Sequence, residues 1–457
     1  VKKVSGRSKT IIILAVLMVA GLIYFSADVM INGSSWSIHP GNGNLYSGGN
    51  LSTGMVRDRI GDILVQSGAD GRSYSNNPAV RTALLHLTGD SYGYIPSIVL
   101  NEYGAEISGY DSLNGVFSLD REDAELKLTV SAKVSSVAYE ALAGRKGCVG
   151  VYNYKTGELI CMTSSMSYDP LDMPDISEDT TGVYDGVFVN RFVSSTYVPG
   201  SIFKLVTTAA AIETIPDIFE QSFYCDGDVE VEGDTIVCAG VHGEIDFRTA
   251  LARSCNCAFA AIASQVGAEV LTEYANKALV NESLSFDGLT TAKGSFVLSD
   301  KTQSNVAWAG IGQYTNLINP CAYMTFVGAI GNGGTVVYPH LLYSVTGGGV
   351  MDIQYGQTVT GDTVLSYETC RTMKEMMRNN VLTVYGDPYD LNICAKSGTA
   401  EIGEGIEPHA TYAGFLDDEE HPLAFIVIVE NGGSGSAICG SIANEVLNEA
   451  VKMMDSE

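Results

Sequence analysis

At 457 residues, 46% of them hydrophobic and 50 of them glycine, the chain is too apolar for a disordered polymer and too long for a small disulfide scaffold. Its 26 Lys and Arg against 53 Asp and Glu leave a formal charge of −27, which repels phosphate backbones and excludes a general nucleic-acid-binding surface. The length has room for about three average domains, or for one large fold with attachments.

Lys2, Lys3, Arg7 and Lys9 precede an uncharged stretch from Thr10 to Ala27, which at about 1.5 Å per residue nearly spans a hydrocarbon core. A retained single-pass anchor is expected rather than a cleaved signal peptide, because the run exceeds a usual signal core and YFSADV offers no A-x-A site. The positive-inside bias puts residues 1–9 in the cytoplasm and everything after about residue 28 outside it. Residues 28–125 read as stalk and pedestal: GMVRDRIGDILVQSGADG is a hairpin-like unit, NNPAVRTALLHLTG is modestly helical, and a charged patch lies at Asp120–Asp123. From residue 126 the periodicity becomes regular and apolar. LKLTVSAKVSSVAYEALAG predicts a strand entering a helix, and CVGVYNYKTGELICMTS predicts two strands around a tight turn. LNICAKSGTAEI, HATYAGFL and LAFIVIVEN are three more strands, followed by the helix ICGSIANEVLNEAVKMM. Between the two strand groups nearly everything reads as helix or loop. The fold class is therefore α+β: one antiparallel five-stranded sheet built from both ends of the region, flanked by helices, with a helical subdomain between.

Ten cysteines in an exported chain raise the question of disulfides. Cys148 and Cys161 flank a hairpin and Cys225 and Cys238 flank an acidic segment, so both pairs could meet across short loops. Cys255, Cys257, Cys321, Cys370, Cys394 and Cys439 lie in apolar or periodic segments, where a buried free thiol is expected. No metal site is expected: His39, His86, His242, His340, His409 and His421 are scattered, HExxH and CxxC are absent, and DGDVEVEGD lacks the glycine and closing glutamate of a calcium loop. NGGSGS fails as a nucleophile elbow because Ser436 stands where its second glycine belongs.

Serine chemistry remains. Ser201 and Lys204 sit three apart at the start of an apolar helix in YVPGSIFKLVTTAAAIE, so the amine can reach the hydroxyl, and its apolar neighbours disfavour a charged ammonium. The helix start also offers backbone N–H groups to an oxyanion. A serine and lysine so spaced are more often a cap and a solvated charge, but no other S-x-x-K occurs in the sequence. DFRTALARSCNCAFAAIASQVG reads as helix, interruption, helix, with Ser254 and Asn256 at the interruption. S-x-N alone is weak, recurring at Ser75–Asn77 and Ser112–Asn114, where a cap or turn suffices. Lys396, Ser397, Gly398 and Thr399 lie on a predicted strand: Gly398 permits close backbone approach, while Ser397 and Thr399 present hydroxyls on one side for a carboxylate. The other K-T-G, Lys155–Gly157, falls in a hairpin turn and reads as structural.

The order S-x-x-K, S-x-N, K-S-G reproduces the three-motif set of penicillin-binding proteins and serine β-lactamases. With VRDRIGDIL, LTVSAKVSSVAYEAL, TGELICMTSSMSYDP, HATYAGF and FIVIVENG, the chain resembles a class B, monofunctional penicillin-binding protein, a peptidoglycan D,D-transpeptidase. The resemblance implies the penicillin-recognising fold over residues 126–457, no cofactor, and a single-pass protein of the cell membrane with its catalytic domain outside. It implies that Ser201 forms an acyl-enzyme on a stem peptide, that Lys204 is the base, and that Ser254 with Lys396 relays a proton to the leaving amine. Asn256 would bind the stem amide, the Ser397 and Thr399 hydroxyls the carboxylate, and the backbone N–H groups of Ser201 and Thr399 would form the oxyanion hole. Stem peptides on lipid-linked glycan and β-lactams are the implied ligands. A membrane glycosyltransferase of the shape, elongation, division and sporulation type is the implied partner, since no glycosyltransferase segment is expected beside the transpeptidase. The alternatives are a D,D-carboxypeptidase, a β-lactamase-like hydrolase, and a non-enzymatic β-lactam sensor or cell-wall scaffold. The stalk motif departs from its relatives in reading Gly54-Met55-Val56-Arg57 before Asp58.

Overall fold

The apolar run near the start lies within a continuous helix, α1 (Lys2–Ser37), whose 28-residue stretch Gly6–Gly33 is long and apolar enough to cross a membrane. In the computed structural model, residues 2–39, 41–42, 46–47, 50–51, 54–68, 71–108, 110–111, 116–117, 124–346, 353–403 and 405–456 are described. The charged patch Asp120–Asp123 and the Ser112–Asn114 pattern lie outside them.

The stretch expected to form a pedestal contributes strands to a six-stranded sheet in the order Ile353–Tyr355, Leu342–Thr346, Glu125–Leu128, Met55–Arg57, Ile63–Gly68, Gly71–Tyr74. The sheet therefore draws strands from both sides of residue 126. Asp58, fully buried, ties this sheet to the next unit: Oδ1 accepts from the N–H groups of Ile60 and Asp62 at 3.1 and 2.8 Å, and Oδ2 accepts from the N–H of Ala132 at 3.0 Å. Ala132 opens helix α2 (Ala132–Leu142), whose cap Ser131 accepts from the Val134 N–H.

The main sheet has five antiparallel strands: β1 (Gly147–Asn153), β2 (Leu159–Ser165), β3 (Ile393–Ala400), β4 (His409–Leu416) and β5 (Leu423–Val429), in the order β2-β1-β5-β4-β3. The antiparallel arrangement drawn from both ends of the region is as expected. Leu423–Val429 is apolar throughout because both of its faces are covered. Phe425, Val427 and Val429 pack with Val134 and Ala138 of α2, while Ala424, Ile426 and Ile428 face the opposite core. On that opposite side lie α3 (Lys204–Thr214) and α4 (Asn256–Val266) of the helical subdomain, and the buried helix α5 (Pro320–Gly331), where Gly328 leaves room for the Tyr152 ring. The terminal helix α6 (Gly440–Met454) packs beside α2.

Two expectations are corrected. The region between the strand groups is not only helix and loop. Ser222–Cys225 pairs with Gly243–Asp246 and Asp228–Val231 with Asp234–Val237, because Glu232 and Gly233 take positive φ at the turn inside the alternating DVEVEGDTIV run, with Gly227 at positive φ just before it. Cys148 and Cys161 do not meet: Cys148 stands opposite Ser164 and Cys161 opposite Val151, and the two thiols pack in different cores on opposite sheet faces. All ten cysteines are free and buried. The Lys155–Gly157 turn is structural, with the Asn153 side chain accepting from the N–H groups of Lys155 and Thr156.

Candidate active site

Ser201 lies in a short 3-10 turn, Gly200–Phe203, that runs directly into α3 at Lys204. Three residues make one turn of such a helix, so the two side chains align as the spacing predicts. The turn is held from outside. Gly200 has φ +56 and donates its N–H to the Gly312 carbonyl at 3.0 Å, and the Tyr323 hydroxyl donates to the Ile202 carbonyl at 2.7 Å. Strand β3, the sheet edge, passes behind it. A Cβ at Gly398 would come within 3.0 Å of the Ile202 nitrogen and 3.1 Å of the Pro199 carbonyl oxygen. The close approach at Gly398 is thus made by the chain itself, first by Thr411 Oγ1 of β4, 2.3 Å from such a Cβ, and then by the nucleophile turn. Ser254, between Phe247–Ala252 and α4, takes φ +54, an unfavoured conformation for a residue with a side chain.

The motifs converge. Lys204 Nζ is 3.0 Å from Ser201 Oγ, 3.1 Å from Ser254 Oγ, and 2.7 Å from both the Ser254 carbonyl oxygen and Asn256 Oδ1. Lys396 Nζ is 3.0 Å from Ser254 Oγ, 3.2 Å from the Tyr385 hydroxyl and 2.7 Å from the Ser397 carbonyl oxygen. Both lysines are fully buried. Burial first, and then the neighbouring Lys396, holds the Lys204 ammonium well below its ordinary pKa, while burial pushes Lys396 down to about 7. A neutral Lys204 amine would give its two N–H bonds to the carbonyl-type oxygens at 2.7 Å and keep its lone pair for a hydroxyl, Ser201 or Ser254.

Ser201, Ser254, Asn256, Ser397, Gly398 and Thr399 line one groove of about 560 Å³, with Val237, Cys238, Ala239, Trp308, Ile311, Gln313 and Glu401 completing its walls. Ser397 and Thr399 alternate with the buried Lys396 and Gly398 along the edge strand. Asn256 Nδ2 donates to the Val237 carbonyl at 2.8 Å, leaving its second hydrogen for a ligand. Tyr385, which caps the Lys396 amine from the turn Val381–Tyr385, had no motif to announce it. The expectation of no metal-ligating cluster, drawn from histidines and CxxC alone, is also corrected: Cys225, Cys238, Cys255 and Cys257 come together beside the S-x-N stretch.

A groove in which a serine hydroxyl meets a buried amine held well below its ordinary pKa, linked through a second serine to another buried lysine, defines a serine acyl-transfer enzyme. A family model, the penicillin binding protein transpeptidase domain, matches residues 147–451. The chain belongs to this family, as a penicillin-binding protein of class B. It is 25% identical over 365 residues to peptidoglycan D,D-transpeptidase PbpA of Mycobacterium tuberculosis, covering 73% of this chain and 74% of that one. It is 25% identical over 355 residues to stage V sporulation protein D of Bacillus subtilis, covering 73% and 53%. Two solved structures of penicillin-binding protein A from M. tuberculosis, one of them a penicillin G acyl-enzyme complex, superpose with TM-scores of 0.77 and 0.74. Each is 23% identical and covers 88% of this chain and 100% of the other.

Proposed function

We propose that the chain crosslinks peptidoglycan as a D,D-transpeptidase. Ser201 Oγ attacks the carbonyl of the penultimate D-Ala of one stem peptide, terminal D-Ala leaves, and an amine of a second stem takes the acyl group. Neutral Lys204 accepts the Ser201 proton along their 3.0 Å contact. Ser254 Oγ, 3.1 Å from Lys204 Nζ and 3.0 Å from Lys396 Nζ, hands a proton to the leaving amine. The free hydrogen of the Asn256 amide meets a stem carbonyl, and the Ser397 and Thr399 hydroxyls hold the terminal carboxylate. The N–H groups of Ser201 and Thr399 receive the oxyanion. β-Lactams, which offer the same acyl carbon and carboxylate, acylate Ser201.

Residues 1–9 form a cytoplasmic tail, 10–27 the membrane anchor, 28–125 most of an extracytoplasmic pedestal, its sheet completed by Leu342–Thr346 and Ile353–Tyr355, and the rest of 126–457 the catalytic domain, consistent with Lys2, Lys3, Arg7 and Lys9 on one side of the apolar run. Glycan strands come from a partner membrane glycosyltransferase. The observation that carries this reading is the 3.0 Å contact of the fully buried Lys204 amine with the Ser201 hydroxyl. Intact mass after penicillin exposure should show one adduct on the wild-type chain and none on Ser201→Ala. A donor stem with an acceptor amine should then give crosslinked product. Free acid alone would point to a carboxypeptidase, rapid penicillin turnover to a β-lactamase, and absence of any adduct to a sensor or scaffold.

A further inference from the structure

The two buried amines share one serine: Lys204 Nζ and Lys396 Nζ stand 3.1 and 3.0 Å from the same Ser254 Oγ. A proton on either raises the cost of a second on the other, so as the pair deprotonates it passes through a state with a single ammonium. A base at Lys204 requires that this ammonium be Lys396. The catalytic motifs alone favour the wrong seat. Lys204 faces two carbonyl-type oxygens at 2.7 Å, from Ser254 and Asn256, and two hydroxyls. Lys396 draws from the motifs only the Ser397 carbonyl at 2.7 Å and the Ser254 hydroxyl, which leaves the third N–H of an ammonium to the Tyr385 hydroxyl at 3.2 Å. A buried ammonium with an unmade hydrogen bond is costly, so this third oxygen weighs on where the proton sits.

The turn carrying the phenol is shaped around it. It closes the helix Tyr367–Asn380, and its middle residues Leu382, Thr383 and Val384 are exposed while Val381 and Tyr385 pack inward. Buried Asn380 donates Nδ2 to the Ala395 carbonyl at 3.0 Å and Arg378 donates Nη1 to the Ile393 carbonyl at 3.1 Å, which fastens the turn to β3, the strand of Lys396. The Tyr385 ring meets the Tyr412 ring edge-on with centroids 5.7 Å apart. Burial raises the Tyr385 phenol above its ordinary pKa, so it stays uncharged. Of the other titratable groups around the pair, Cys238, Cys255 and Cys257 lie near Lys204, and Arg378 and Asp387, paired at 2.7 Å, act on Tyr412. We infer that Tyr385 is a positioning residue whose hydroxyl keeps the shared proton on Lys396 and so leaves Lys204 free to take the proton of Ser201. The inference rests on the transpeptidase reading for the base role of Lys204. Tyr385 acts only through Lys396: it decides which amine holds the proton and supplies none itself.

The test measures acylation of the full chain in detergent by fluorescent penicillin as a function of pH. Tyr385→Phe keeps the ring against Tyr412 and removes only the third oxygen. Its rate should fall about 10-fold below wild type near pH 6 and converge with it by about pH 9, where both amines are neutral with or without the phenol. Leu382→Ala, on the exposed side of the same turn, should match wild type throughout. A loss equal at every pH, no loss, or the same loss in Leu382→Ala overturns the inference. A second readout needs no substrate. Side-chain nitrogen resonances of isotope-labelled lysine, assigned with Lys204→Met and Lys396→Met, should show an ammonium at Lys396 and a neutral amine at Lys204 in the wild type near pH 6, and the reverse in Tyr385→Phe. A wild-type ammonium at Lys204, or no reversal in the variant, also overturns it. Resonances that reverse as expected in a chain that penicillin never labels would refute the transpeptidase reading and leave the proton placement standing.

Discussion

Lys396 is an amine that folding must strip of its proton. Its pKa of about 7 in the folded protein against an ordinary 10.5 makes the unfolded chain the better proton binder between those values, so stability rises with pH across that window. The destabilisation is complete below about pH 7 and gone above pH 10.5. Lys396→Met should therefore raise the melting temperature at pH 7, by a margin that shrinks toward pH 10, while abolishing acylation. Differential scanning fluorimetry at the two pH values checks this, and an equal gain at both would assign the effect to packing. Such a trade of stability for function is common where an active site holds a desolvated charge carrier.

At the level of elements, the nucleophile turn is wedged between Gly312 and strand β3. A Cβ at Gly312, where φ is +87, would stand 1.9 Å from the Gly200 carbonyl oxygen. Gly312→Ala should slow acylation by about 10²-fold by shifting Ser201, measured as the second-order rate with fluorescent penicillin. Gly440→Ala, where nothing lies within 4 Å of a new Cβ, should leave that rate unchanged. The pedestal joint gives a complementary case. Asp58→Ala strips an acceptor from the N–H groups of Ile60, Asp62 and Ala132 and should cost about 1–3 kcal/mol or more in thermal unfolding. Labelling of the protein that remains folded should be spared, because the Asp58 joint lies outside the groove.

For the molecule as a whole, legibility followed the range of the contacts. Ser201 with Lys204, and Ser397 with Thr399, were readable because a helical turn or a strand alternation fixes which side chains share a face. The sheet strands were readable because Leu423–Val429 and its partners have uniform apolar patterns. Tyr385 and Gly312 were not, since each matters only through a partner far away in sequence. The four cysteines were half visible. C-x-C at Cys255–Cys257 stood in the sequence, but its convergence with Cys225 and Cys238 required hairpins that a helix-or-loop reading of that stretch had suppressed.

The interleaving of β1 and β2 from the early part of the chain with β3, β4 and β5 from its end has a consequence for biogenesis. A chain made from its N-terminus delivers Ser201 and Lys204 well before the edge strand bearing Lys396. The nucleophile therefore stands without its second lysine at first, and the site is complete only when the last strands dock, late in a fold rich in distant pairings.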